Sequence, residues 1–163
     1  MKRTLSLALI LALSIPAAWA APEPLSSVDL VSASAVLMEK ETGQILYEKE
    51  PHQPMEPASV TKIMTLLLIM EALDSGQITR EDPVAISSAA AGMGGSQVYL
   101  EEGEQMSAGE LIKCITVVSG NDAAVAMAEH LAGSETAFVA RMNQRAQELG
   151  MADTTFLNCT GLP

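Results

Sequence analysis

Two short motifs in this chain combine residue types that can perform acyl transfer. The first, SVTK, spans Ser59–Lys62, and the second, SGN, spans Ser119–Asn121. A serine hydroxyl is a weak nucleophile until a neighbouring base takes its proton. Residues i and i+3 share one face of a helix, about 5 to 6 Å apart at Cβ. The spacing therefore predicts that Lys62 lies within reach of Ser59 and serves it as a base.

The sequence around the first motif predicts a helix that positions this pair. Pro57 precedes Ser59, and the apolar run Ile63–Met70 follows it, so we expect a helix from near Ser59 to about residue 75 or 76. At a helix N-terminus the macrodipole disfavours an ammonium, and burial does so too, which favours neutral Lys62. The free N–H groups there can also stabilise an oxyanion.

The second motif is predicted to form a turn between helices. Ser107 and Glu110 have capping-box spacing and open a helix to about Val118, and a second helix covers residues 122–132. A third helix follows Ser134 and reaches about residue 149. Helix capping alone is the other explanation for Ser119 and Asn121. The helix after Ser107 is predicted to face the core with Leu111, Ile112, Ile115 and Val118. The helix after Ser134 is predicted to do so with Phe138, Val139, Met142, Ala146 and Leu149.

The N-terminus has the pattern of an export signal. Lys2 and Arg3 precede the apolar segment Leu5–Ile15, and Ala18–Ala20 has the small-x-small form of a cleavage site. The apolar segment is shorter than the about 20 residues that a membrane span needs. We therefore predict a signal peptide over residues 1–20, a leader over 21–33 and a catalytic region over 34–163. This region should open with a β-hairpin of strands 35–39 and 44–48, and a short strand is expected near 84–86.

Composition excludes several other functions. The formal net charge of −11 argues against nucleic-acid binding. The chain has two histidines, His52 and His130, and no G-x-S-x-G elbow, so a histidine-based triad is not predicted. The glutamates at 101, 102 and 104 are expected to form a solvated loop instead of a metal site. The glycine-rich stretch 92–96 lacks a Gly-Lys-Ser/Thr sequence, so no phosphate-containing cofactor is expected there. Cys114 and Cys159 can pair in an exported protein, but the helical pattern around Cys114 favours two free thiols.

The two motifs, with the sequence GGSQVYLEEGEQMSAGELIKCITVVSGNDAAVAMAEHLAGS around the second, resemble the serine-type D-alanyl-D-alanine carboxypeptidases of the penicillin-binding protein superfamily. The resemblance implies an α/β fold of the penicillin-binding protein and β-lactamase type, with an antiparallel sheet, flanking helices and a helical lobe. It also implies a bacterial enzyme, exported to the cell envelope, that acts on the peptidoglycan pentapeptide stem and is acylated by β-lactam antibiotics.

The same resemblance assigns a role to each residue that matches a motif. Ser59 would be acylated by the penultimate D-alanine of the stem peptide, with Lys62 as its general base. Ser119 would pass a proton to the departing D-alanine, and Asn121 would bind the backbone of the substrate. No cofactor or metal is implied.

One motif of this family is missing from the chain. A Lys-Thr-Gly or Lys-Ser-Gly strand normally completes the site, and no such triplet occurs here. We therefore expect these residues to be the N-terminal part of an incomplete domain, inactive alone, with membrane contact only through a missing C-terminal region if at all. A non-catalytic wall-binding protein is an alternative. A class A β-lactamase is another, although Gly120 and Thr154 stand where that class has aspartate and glutamate.

Overall fold

The computed structural model describes residues 30–163. The predicted signal peptide, residues 1–20, and the leader as far as residue 29 lie outside the described residues. Within these limits the chain forms two compact units, which divide between Pro54 and Met55. None of the helices formed by residues 30–163 is long and apolar enough to cross a bilayer.

The first unit contains the predicted hairpin. Strands β1 (Ala35–Met38) and β2 (Ile45–Lys49) pair antiparallel. The Glu39 carboxylate accepts the N–H of Thr42 at 2.6 Å, which fixes the turn, and Gly43 follows at φ +70°. This confirms the predicted hairpin, and the strand ends agree with the predicted ones to within one residue. Four apolar side chains of the hairpin are exposed: Val36, Leu37, Met38 and Ile45.

The second unit is mainly helical and carries both motifs. A 3-10 turn, Ala58–Thr61, leads directly into the first helix. A two-stranded antiparallel sheet lies between the helices, with Val84 paired to Met106. In chain order the elements are α1 (Lys62–Asp74), β3 (Pro83–Ala85), α2 (Ser88–Ala91), β4 (Gln105–Ser107), α3 (Ala108–Val118), α4 (Asn121–Ala132) and α5 (Glu135–Glu148).

Helix α4 is the centre of the core. Residues 121–128 of this helix are all buried, and its alanines allow α1, α2, α3 and α5 to pack closely around it. Helix α5 presents the predicted stripe of Phe138, Met142 and Ala146 to this core. Burial of an aromatic and a methionine at these positions stabilises the unit by roughly 1.5 to 3 kcal/mol each.

The helix boundaries agree with the sequence pattern, with three differences. Strand β4 and helix α2 were not predicted, because each is only three or four residues long. Val118 and Leu149, expected in the core, are both 47% exposed, since each stands at the end of its helix where the next turn diverges. Ser59 lies in a 3-10 turn instead of the first turn of an α-helix.

Candidate active site

The first motif places an exposed hydroxyl over a buried amine. Ser59 is exposed in the 3-10 turn, whereas Lys62, the first residue of α1, is only 3% exposed. Lys62 Nζ lies 3.2 Å from Ser59 Oγ, within hydrogen-bond distance. Burial lowers the pKa of Lys62 from the ordinary lysine value of 10.5. The arrangement therefore makes the neutral, basic form of Lys62 easier to populate beneath an accessible hydroxyl.

The backbone near the end of the chain orients the amine. Lys62 Nζ donates a hydrogen bond to the carbonyl oxygen of Thr160 at 2.8 Å. One helical turn further along α1, the Thr65 hydroxyl donates to the carbonyl oxygen of Cys159 at 2.7 Å. When one N–H of a neutral amine is fixed in this way, its lone pair is free to face Ser59. Sequence reasoning missed this contact because a backbone carbonyl has no side-chain signature.

The second motif lies at the junction of α3 and α4. Ser119 ends α3 in the left-handed conformation, φ 59° and ψ 35°, and Gly120 is the N-cap of α4. Among the described residues, Ser119 Oγ and Asn121 Oδ1 are the buried side-chain atoms without a hydrogen-bond partner. Such atoms are rare in folded proteins. A substrate that brings an N–H and a proton acceptor would satisfy both.

A loop that follows α2 is fastened to the second motif. Asn121 binds this loop twice, because its Nδ2 donates to Gly94 O and its N–H donates to Ser96 O, both at 2.7 Å. The buried Asp122 carboxylate accepts the N–H groups of Val98 at 2.9 Å and Leu100 at 3.2 Å. The loop therefore forms a fixed wall beside Asn121, which the sequence indicated only as a glycine-rich segment.

Two glycines show how the motifs are brought to the same region. A Cβ on Gly161 would overlap the carbonyl oxygen of Ala58, the residue before Ser59. A Cβ on Gly95 would lie 2.9 Å from Asn121 Nδ2 and 3.3 Å from the side chain of Leu162. Residues 161 and 162 thus touch the first motif on one side and the loop of the second motif on the other.

Replacement of Asp122 by alanine is expected to destabilise the protein by about 3 kcal/mol. The carboxylate is fully buried and accepts N–H groups of Val98, Leu100 and Ala123, which would lose their partner. The measurement is urea unfolding of the protein expressed from its complete gene. Asp74→Ala, at an exposed position, is the matched control and should change stability by less than about 0.5 kcal/mol. Equal effects of the two substitutions would contradict the anchoring role of Asp122.

Other candidate groups do not assemble into a second site. Within residues 30–163 no three His, Cys, Asp or Glu side chains are placed to hold a metal ion. His52 and His130 are both exposed. Cys114 and Cys159 are free thiols, and burial raises the pKa of both. Neither thiol is therefore activated as a nucleophile.

Comparison with known proteins identifies the same family over nearly the whole chain. The family model described as D-alanyl-D-alanine carboxypeptidase, peptidase S11, matches residues 19–163. The D-alanyl-D-alanine carboxypeptidase DacF of Bacillus subtilis is 51% identical over 167 residues, which cover 99% of this chain and 43% of that protein. DacC of Escherichia coli is 35% identical over 90% of this chain and 38% of its own length. The chain thus spans less than half the length of these relatives.

Solved structures agree with the predicted fold. The D-alanyl-D-alanine carboxypeptidase DacD of Francisella tularensis superposes with a TM-score of 0.82 at 39% identity, over 83% of this chain and 33% of that one. Penicillin binding protein 5 of Haemophilus influenzae gives 0.81 at 37% identity, over 85% and 41%. The predicted α/β fold of the penicillin-binding protein type is confirmed over the part of these structures that the chain covers. By sequence and by fold, the chain belongs to the D-alanyl-D-alanine carboxypeptidase family, peptidase S11.

Proposed function

We propose that this protein removes the terminal D-alanine from peptidoglycan stem peptides through an acyl-enzyme on Ser59. The observation that carries the proposal is the 3.2 Å approach of the buried Lys62 amine to the exposed Ser59 hydroxyl. Family membership supports the substrate, since the matching relatives are named for this activity. The chain spans 43% of the length of one relative and 38% of another, so the proposal concerns the protein as its complete gene encodes it.

In the first half of the reaction, neutral Lys62 takes the proton of Ser59 as Ser59 Oγ attacks the carbonyl carbon of the penultimate D-alanine. The C–O bond that forms gives a tetrahedral oxyanion. The N–H of Val60 is already donated to Pro57 O at 3.1 Å. It is therefore not free to stabilise the oxyanion, so other donors must do so.

In the second half, the bond to the departing D-alanine breaks and its nitrogen needs a proton. Ser119 Oγ, which is buried beside Asn121 with no partner of its own, is the donor in this proposal. The proton that Lys62 took from Ser59 then restores the Ser119 hydroxyl, so that no net proton is gained or lost. Asn121 Oδ1, also without a partner, accepts an N–H of the substrate backbone while Nδ2 stays on Gly94 O. Water then hydrolyses the ester of Ser59 and regenerates the hydroxyl.

Two further features belong to the proposal. Penicillins acylate the same serine, in keeping with the penicillin-binding proteins among the solved structures. The protein acts outside the cytoplasm, at the cell envelope, which is supported by the signal-peptide pattern in residues 1–20 and by the location of the proposed substrate. The net charge of −11 agrees with a small-peptide substrate instead of a nucleic acid.

The test uses the protein expressed from its complete gene, a tripeptide that ends in D-alanyl-D-alanine, and a fluorescent penicillin. We expect release of D-alanine from the tripeptide, and a lasting fluorescent band whose label maps to Ser59. A tripeptide that ends in D-alanyl-L-alanine is the matched control and should release no amino acid.

Other outcomes would assign a different function. Rapid turnover of the penicillin without release of D-alanine would favour a β-lactamase. Binding of muropeptides with neither acylation nor release of D-alanine would favour a non-catalytic wall-binding protein. A label on a residue other than Ser59 would contradict the assignment of the nucleophile.

A further inference from the structure

The turn that carries the Thr160 carbonyl is shaped by one side chain. Asn158 Oδ1 accepts the N–H of Gly161 at 2.6 Å and the N–H and hydroxyl of Thr160 at 3.1 and 3.2 Å. Asn158 Nδ2 donates to the carbonyl oxygen of Leu162 at 2.6 Å. A single carboxamide therefore joins Thr160 and Gly161 to Leu162, and we call the segment Cys159–Leu162 the carbonyl turn.

The remaining polar groups of the carbonyl turn face the first motif and α5. The Glu135 carboxylate accepts the N–H of Cys159 at 3.0 Å, and the Thr65 hydroxyl donates to the carbonyl oxygen of Cys159. The Thr160 carbonyl is thereby left to accept from Lys62 Nζ. Because almost every backbone group of the turn has a fixed partner, rotation of the Thr160 peptide would break several hydrogen bonds at once.

The chemistry at position 158 requires an asparagine. The side chain must accept on one side, from two N–H groups, and donate on the other, to a carbonyl. A carboxylate of the same size keeps the acceptor and loses the donor, and alanine loses both. Asn158→Ala therefore tests the hydrogen bonds that hold the turn, and Asn158→Asp tests the effect of a negative charge at the same place.

We propose that Asn158 is a positioning residue for the lysine base: its carboxamide holds the carbonyl turn so that the Thr160 carbonyl fixes the direction of Lys62 Nζ. This rests on the proposed function of Lys62. Asn158 touches no reacting atom in this scheme. It acts through the carbonyl, which selects the orientation of the amine whose lone pair faces Ser59 Oγ.

The test compares Asn158→Ala, Asn158→Asp and Asn143→Ala in the protein expressed from its complete gene. Asn143 is the matched control, because its carboxamide also binds backbone on both sides, at Phe156 N and Phe156 O, but does not touch the carbonyl turn. Acylation by a fluorescent penicillin is measured as a maximal rate and a half-saturating concentration, across a pH series, on protein whose folding is verified by circular dichroism.

We expect Asn158→Ala to lower the maximal acylation rate about tenfold, with less than a twofold change in the half-saturating concentration. Asn143→Ala should lower the unfolding midpoint and leave the rate per folded molecule unchanged. Asn158→Asp places an anion against the N–H of Gly161, which belongs to the same peptide unit as the Thr160 carbonyl. Because a nearby anion favours the charged form of Lys62, the rise of the acylation rate with pH should move to higher pH.

The possible failures are distinguishable. If the unaltered protein is not acylated, the proposed function fails and the inference fails with it. If the unaltered protein is acylated, and folded Asn158→Ala reacts at the same rate, the positioning role is wrong. Should Asn158→Ala fail to fold, the rate of Asn158→Asp on the plateau above its pH limb decides. Aspartate loses the donor to Leu162 O, so a lowered plateau supports the role and an unchanged plateau overturns it.

Discussion

Replacement of Lys62 by methionine is expected to lower the rate of Ser59 acylation by about 10⁴-fold, the upper range for loss of a general base. Methionine fills a similar volume but cannot accept a proton, so Ser59 must attack as a neutral hydroxyl. The measurement is single-turnover labelling by a fluorescent penicillin in the protein expressed from its complete gene. Binding of the drug before acylation should change little, because Lys62 is buried beneath Ser59.

Lys62→Arg separates the base from the charge. A guanidinium keeps the positive charge but stays protonated at any accessible pH, so it cannot take the proton of Ser59. We therefore expect nearly the same loss of acylation as for methionine. A rate within tenfold of the unaltered protein would show that Lys62 acts only through its charge.

The pH dependence gives an independent measurement of the same role. Acylation should rise with pH as Lys62 loses its proton, with a midpoint below the ordinary value of 10.5, because burial lowers the pKa of Lys62. Lys62→Met should abolish this limb. Between the lowered pKa and 10.5 the unfolded chain binds more protons than the native state, so the free energy of unfolding rises with pH. Below that window the native protein bears the full cost of a buried ammonium. Lys62→Met removes this cost, so we expect the variant to remain folded there.

Most of the architecture of the helical unit could be predicted from local sequence. Ser107 caps α3 by accepting the N–H of Glu110, as the capping-box spacing indicates, and Ser134 caps α5 in the same way. Apolar residues at helical spacing predicted both α3 and α5. Strand β4 and helix α2 were missed because segments of three or four residues carry no periodicity, and their structure depends on tertiary pairing.

The geometry around the motifs was only partly predictable. The i, i+3 spacing brings Lys62 to Ser59 in the 3-10 turn as it would in an α-helix. The left-handed conformations of Ala58, Tyr99 and Ser119 had no signal, since such residues rarely adopt positive φ. They persist because surrounding contacts determine them, and the contacts come from distant parts of the chain. The carbonyl turn was missed for the same reason, being 98 residues from Lys62.

Replacement of Gly161 by alanine is expected to cost about 3 kcal/mol of stability and to lower acylation at least about 100-fold. Gly161 has φ +78°, and a Cβ there would overlap the carbonyl oxygen of Ala58 and lie 2.8 Å from Thr61 Oγ1. Because backbone blocks the Cβ, either the carbonyl turn or the 3-10 turn must move. Either shift separates Lys62 Nζ from one of its two partners. Urea unfolding and single-turnover labelling measure the two effects.

Gly133→Ala isolates the cost of the backbone conformation from the cost of the overlap. Gly133 has φ +79°, but nothing lies within 4 Å of a Cβ built there. This control should lose about 1 kcal/mol, the cost of a left-handed alanine, and keep its acylation rate per folded molecule. If the two variants lost equal stability and Gly161→Ala still reacted normally, the contact of Gly161 with Ala58 would have no part in holding the serine over the lysine. The active geometry would then have to be set by α1 alone.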